Sequence, residues 1–239
     1  MKLSRNYIKW IAILTMFCDH ATKLLVSRKT LGYIIGRNVI GRIAFPLFGM
    51  LLVEGFFKTK NRKQHILKLL ILAIISEPLY DLILHHGWDK QSIIVTWLLG
   101  YLLLYLLALI EQSVKLQNLH LQLEVKLLLV LGFGQLSYLL KVDYSWAAIL
   151  AIYGAYEIYR SPKISTYWKA VLSTGLFGLL EGILFNSWGA LLAILPVLAY
   201  DSSKNLPTNK IYKQLLYWSY PIHLVILKVV CLLLMKNGV

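Results

Sequence analysis

The stretch from Gln91 to Ile110 runs for twenty residues without a formal charge. A helix rises about 1.5 Å per residue, so a run of that length matches the roughly 30 Å apolar thickness of a bilayer. Other apolar runs of similar length lie on both sides of it. That pattern confines the chain to one broad class, the polytopic membrane helix bundle. Composition agrees. Hydrophobic residues make up 58% of the chain, charged residues 15%, and the mean hydropathy is +0.64. Disordered chains are poor in apolar residues, so disorder is excluded. Two cysteines, Cys18 and Cys231, both inside apolar runs, exclude a secreted disulfide scaffold. A length of 239 residues suits one membrane bundle and is too short for several soluble domains.

The expected fold is all-α, a single domain over residues 1–239. About nine transmembrane helices are expected, within a range of eight to ten. The runs fall near 8–26, 39–57, 66–84, 92–111, 123–140, 144–159, 167–185, 187–200 and 212–235. Turn residues separate several of them: Lys60-Asn61, His86-Gly87, Lys141-Val142-Asp143, Ser161-Pro162 and Asn186-Ser187. The eighth run is short and holds Pro196, so it reads either as a span or as a re-entrant segment. Lys2, Arg5 and Lys9 before an apolar run imitate a signal peptide, but Cys18, Asp19 and His20 follow in place of a small-residue cleavage site. A retained first helix is expected.

The chain carries 25 basic and 11 acidic residues, a net charge of +14. No basic patch interleaved with aromatics stands outside the apolar runs, so nucleic acid is not an expected partner. The N-terminus and the loops after the second, fourth, sixth and eighth helices hold 16 of the 25 Lys and Arg residues. The positive-inside rule makes that side cytoplasmic, with the N-terminus in and the C-terminus out, and anionic lipid is the attractant.

Ionisable groups inside membrane segments are costly, which makes them informative. They are Asp19, His20, Arg42, Glu54, Glu77, Asp81, Glu181, His223 and Lys228. In this topology Asp19, His20, Arg42, Glu77, Asp81 and Glu181 lie at similar depth toward the outer ends of four helices. Glu77 and Asp81, at i,i+4, share a face. A histidine, an arginine and several carboxylates at one depth suit either a catalytic centre or a buried ion network. Lys9 and His20 are eleven residues apart. At about 100° per residue they return to within about 20° of one face, roughly 16 Å apart along the axis. A cation below and an imidazole above suit a long anionic donor and a proton transfer. The bland alternatives are an interfacial lysine and a packing histidine. Glu54 has Lys58 at i+4 as an ordinary partner, and His223 follows an aromatic belt at Tyr217–Tyr220 and a Pro221 kink. No Walker loop, CxxC, HExxH or GxSxG is present. His85-His86 with Asp89 is a weak metal candidate, and no metal is expected.

Several stretches together resemble the TraX family of membrane proteins, associated with N-terminal acetylation of conjugative pilin. They are Met16–His20, Gly41–Pro46 running to Glu54–Thr59, Ile75–Leu82, Asp143-Tyr144 and Tyr217–Leu224. They cover nearly the whole chain in family order. Ser145 stands where the family pattern has Gly. The resemblance reaches a broader group, the membrane acyltransferase type three superfamily, whose first helix carries a basic residue, ten residues, then His; Lys9 and His20 fit. The resemblance implies a multi-pass protein of the bacterial inner membrane that uses acyl-CoA, foremost acetyl-CoA. Transfer would go to an acceptor amine or hydroxyl at the outer face, on a peptide such as a pilin N-terminus or on a cell-surface polymer. In that reading His20 is the general base, Asp19 or Glu77 orients it, and Lys9, Arg37 and Arg42 hold the donor's phosphates or its thioester carbonyl. Two readings compete with this one. The first is a non-enzymatic membrane assembly or immunity component whose charges only fix packing. The second is a proton-coupled transporter using Glu77, Asp81 and Glu181, although the paired halves common in transporters are not visible.

Overall fold

Polar side chains at the ends of the apolar runs start the helices. Asn61, Asn118 and Ser165 accept hydrogen bonds from the backbone N–H of Gln64, His120 and Trp168, which satisfies donors that a helix start leaves open. Asn186, in the left-handed region at φ 52°, stops another. In this computed structural model, which describes residues 2–84, 89–113, 118–204 and 209–236, nine helices result among the described residues. They are α1 (Arg5–Leu25), α2 (Leu31–Lys58), α3 (Arg62–Ile83), α4 (Ile93–Gln112), α5 (Leu119–Leu139), α6 (Ser145–Arg160), α7 (Thr166–Phe185), α8 (Trp188–Leu198) and α9 (Lys210–Lys236). No strand is present among those residues; two isolated bridges, Leu3 with Tyr200 and Gln91 with Val142, are the only β-type pairings there. Among the described residues five helices, α2, α4, α5, α7 and α9, are long and apolar enough to cross a membrane.

The second helix differs most from expectation. It begins at Leu31, eight residues before the predicted start at 39, as one α-helical turn. It continues as a π-helical segment over Ile34–Ile40, a 3-10 turn over Gly41–Ile43, and an α-helix over Ala44–Lys58. Gly32, Gly36, Arg37 and Asn38 interrupt the apolar periodicity there, so the sequence reads as loop where the backbone is already helical. π-helical turns are rare and recur at functional sites.

Helices α2, α4 and α6 meet at the centre. Phe56, Tyr101, Leu103, Leu104, Leu107, Ile149 and Ile152 are fully buried between them. On α6 small residues at Ala148, Ala151 and Ala155 let its neighbours close in. Helices α5 and α9 lie at the periphery and turn many leucines, isoleucines and valines outward, as lipid-facing helices do.

Contacts between helix ends fix the path of the chain. At the end where α1 begins, here the basal end, Arg5 of α1 reaches Glu54 of α2, and Lys126 of α5 joins Glu111 of α4 and Glu157 of α6. The opposite, apical end holds Asp19, Arg42, Glu77, Tyr144, Glu181 and His223. Successive helices alternate in direction between these ends. The eleven-residue α8 (3-10 over Trp188–Ala193, then α) also follows this path. Its Gly189 lies against Asn38 and Val39 of α2. Its far end leads to Tyr200, whose hydroxyl donates to Glu54 at 2.8 Å. The eighth segment therefore runs from the apical to the basal end, with one face packed against α2 and α7, instead of turning back.

Candidate active site

Helices α1 and α9 run side by side in the same direction. Near their basal ends the Trp10 indole N–H donates to the Tyr212 hydroxyl at 2.7 Å. Ten residues further on α1 and eleven further on α9 stand His20 and His223. Their rings meet, with Nδ1 of His20 2.6 Å from Nε2 of His223. The ring planes differ by 14° and the centroids are 4.9 Å apart. That separation is little more than the N–N distance plus two ring radii, so the rings lie edge to edge, joined in plane by one hydrogen bond. Nδ1 of His223 is 3.2 Å from the Ser219 carbonyl oxygen one turn below. Asp19 Oδ2 is 3.9 Å from Nε2 of His20.

A second group closes the apical end from the other side. The Arg42 guanidinium donates to the Tyr144 hydroxyl at 3.2 Å, and that hydroxyl donates to Glu181 Oε1, also at 3.2 Å. Arg42 Nη1 stands 3.7 Å from the same carboxylate oxygen. The Tyr144 ring stacks on Phe45 with centroids 3.8 Å apart. Its position depends on a left-handed backbone: φ is 59° at Tyr144 and 35° at Ser145. A glycine takes such angles most easily, so Tyr144 and Ser145 hold a backbone that residues with a side chain rarely adopt. Asp143 is tied down by Lys90 at 2.5 Å, and its carbonyl accepts from the Thr96 hydroxyl. Asp19 Oδ1, Arg42 Nε and Glu181 Oε2 are buried without a hydrogen-bond partner among the described residues. Buried polar atoms are ordinarily paired, so three such atoms on three helices single out this end of the fold as polar and under-satisfied.

The remaining candidates divide between the two ends. Glu77 is apical and buried, but its carboxylate accepts from the Ser92 backbone N–H at 2.9 Å and the Ser92 hydroxyl at 2.7 Å, which fixes the start of α4. Asp19 or Glu77 is expected from the sequence to orient His20; the structure places the ring of His223 in direct contact with His20, with Asp19 Oδ2 3.9 Å from its Nε2. Asp81 is apical and half-buried on the same face of α3. Arg37 lies over the Tyr33 ring in the π-helical segment, within electrostatic reach of Asp19 and Lys23. Both Arg37 and Arg42 are therefore at the opposite end from Lys9 and cannot share one phosphate group with it. Lys9 is half-buried at the basal end, in the field of Arg5 and Lys213. His65 of α3 feels Lys68, Arg5 and Lys9, so basic groups of three helices gather there. Glu54 is basal and 1% exposed, and binds Arg5, Lys58 and Tyr200 together. His85 and His86, the weak metal candidates, lie outside the described residues.

Sequence reasoning missed two links, the His20–His223 pair and the Tyr144 bridge from Arg42 to Glu181. Each joins residues more than thirty positions apart, and helical periodicity carries no signal for a partner on another helix.

Comparison with known proteins gives one curated relative and a family. Over 131 residues the chain is 32% identical to a probable fimbrial assembly protein, FimC of serogroup H1, from Dichelobacter nodosus. The match covers 54% of this chain and 53% of the relative, so the chain spans about half the length of the curated relative it matches. No solved structure matches. The profile of the TraX protein family matches residues 4–231, a span that holds both histidines, Arg42, Tyr144 and Glu181, and the chain belongs to the TraX family.

Proposed function

We propose that the protein is a multi-pass acyltransferase of the bacterial cytoplasmic membrane. It moves an acyl group, foremost acetyl, from acyl-CoA on the cytoplasmic side to an amine or hydroxyl presented at the outer side. The acceptor is a peptide, such as a pilin N-terminus, or a cell-surface polymer. One observation carries this reading: a single helix, α1, holds Lys9 among basal cations and His20 among the apical polar groups, with both aligned along α9.

The basal end is then the cytoplasmic end, in keeping with its excess of Lys and Arg. Arg5, Lys9, Lys68 and Lys213 offer positive charge to the donor's phosphates. The roughly 16 Å between Lys9 and His20 is a length that a pantetheine arm spans. At the apical end His20 takes the proton of the acceptor as its nitrogen or oxygen bonds to the thioester carbon. The carbon–sulfur bond breaks, and the departing thiolate takes that proton from His20. Arg42 donates to the carbonyl oxygen as negative charge gathers there, held in aim by Tyr144 and Glu181. Asp19 offsets the positive charge of His20 while it holds the proton.

Release of free thiol from acetyl-CoA by the purified protein tests the proposal. Candidate acceptors are a peptide with a free N-terminus, the same peptide blocked, and a sugar hydroxyl. Thiol release that depends on one acceptor is expected. A folded protein that neither binds acyl-CoA nor releases thiol returns the reading to a non-enzymatic assembly component.

A further inference from the structure

We propose that His223 is a positioning residue: its Nε2 accepts from His20 and holds that ring as the Nδ1–H tautomer, which leaves Nε2 of His20 as the atom that takes the acceptor's proton. This rests on His20 being the base of the proposed transfer.

The assignment follows from what each atom can do. A carbonyl oxygen only accepts, so the contact of 3.2 Å between Nδ1 of His223 and the Ser219 oxygen requires a hydrogen on that nitrogen. His223 is 4% exposed, and its ring neighbours are Phe17, Tyr220 and His20. No carboxylate stands within ion-pairing distance of it among the described residues. A buried cation with no counter-charge is costly, so the ring carries a single N–H, at Nδ1. Its Nε2 is then an acceptor. The group facing that acceptor at 2.6 Å is Nδ1 of His20, which must donate. A neutral His20 therefore holds its lone pair at Nε2, on the side of Asp19.

The arrangement has a chemical consequence. A histidine free of such a partner exchanges its hydrogen between two nitrogens, and one of the two forms points its lone pair at α9 instead of at a substrate. The chain from the Ser219 carbonyl through His223 removes that form. During transfer the proton goes from the acceptor to Nε2 of His20 and on to the departing thiolate. The Nδ1–H bond to His223 is kept throughout, so His223 itself exchanges no proton. The Ser219 carbonyl at the end of the chain has none to give. Helix α9 thus enters the reaction only through the ring of His20, as an outer partner does when it orients a catalytic imidazole.

Side-chain nitrogen NMR of histidine-labelled protein in detergent, with His20 identified by its loss in His20→Gln, reads the tautomer without any turnover. The expected spectrum shows His20 protonated at Nδ1 in the unaltered protein and shifted toward Nε2–H in His223→Leu. In parallel, kcat for acyl transfer should fall about 10- to 100-fold in His223→Leu, as when an orienting partner is lost, with the KM for acyl-CoA unchanged. His223→Gln, whose amide oxygen replaces the accepting nitrogen, should recover most of kcat. An Nε2–H tautomer in the unaltered protein overturns the proposal, and so does an undiminished kcat in His223→Leu. Absence of turnover in the unaltered protein sinks the acyltransferase reading instead, and the nitrogen spectrum still decides the positioning.

Discussion

Gly41 of α2 backs directly onto Asp19 of α1: a Cβ on the glycine would stand 2.6 Å from the Asp19 Cβ and 2.7 Å from its Oδ1. Real Cβ atoms do not approach so closely, so this glycine sets the distance between the helices that carry His20 and Arg42. In Gly41→Ala the helices must part or Asp19 must turn. Overpacking of this kind costs about 1–3 kcal/mol. The purified protein should show a lower Tm and a lower turnover per folded molecule. An unchanged Tm would mean that the two helices have slack between them.

Lys9 gives the donor prediction. Lys9→Ala should weaken acyl-CoA binding by about 1–3 kcal/mol, the range for a lost charge-assisted hydrogen bond. Lys213→Ala, on the facing part of α9, should act in the same direction and less strongly, since Lys213 is exposed. Calorimetric titration of folded protein measures both. An unchanged Kd in Lys9→Ala would reduce Lys9 to an interfacial anchor.

Glu54 gives a prediction about stability alone. Removing it leaves Arg5 without its carboxylate and Tyr200 without an acceptor. Breaking a buried ion pair on one side costs about 3–5 kcal/mol. Glu54→Ala should therefore unfold far earlier in a detergent melt. Tyr200→Phe should lose only about 1 kcal/mol, one hydrogen bond. Turnover per folded molecule should stay near normal in both. A selective loss of turnover in Tyr200→Phe would place that hydroxyl in the chemistry.

Much of the fold is legible in the sequence, and the reason is the solvent. A helix that meets lipid must be apolar over its whole length, so the runs near 92–111 and 167–185 declare α4 and α7 almost to the residue. The start of α2 is not legible, because Gly36 is buried against Thr22 of α1 and the polar pair Arg37-Asn38 beside it breaks the apolar pattern. For the site, depth is legible and pairing is not. The cost of burying charge puts Asp19, His20, Arg42 and Glu181 on the same short list. Only the packing of α9 against α1 shows that His20 meets His223. Only the turn before α6, with its left-handed pair Tyr144 and Ser145, puts a tyrosine between Arg42 and Glu181.

Orientation is tested by labelling. Ser27 and Lys163 are exposed and lie in loops at the apical and basal ends. With Cys18 and Cys231 replaced, a cysteine at Ser27 should react with an impermeant thiol reagent from outside the cell, and one at Lys163 only after the membrane is opened. Labelling of both from outside would contradict the alternating path of the helices.

The most direct test of acyl transfer by His20 is the variant His20→Gln, assayed for transfer per folded molecule. Glutamine keeps the size of the ring and one hydrogen-bonding end, so expression and acyl-CoA binding should stay near normal. Loss of a general base lowers rate by roughly 10²–10⁴, and transfer should fall at least about tenfold. His20→Gln protein that keeps full transfer activity would contradict His20 as the base.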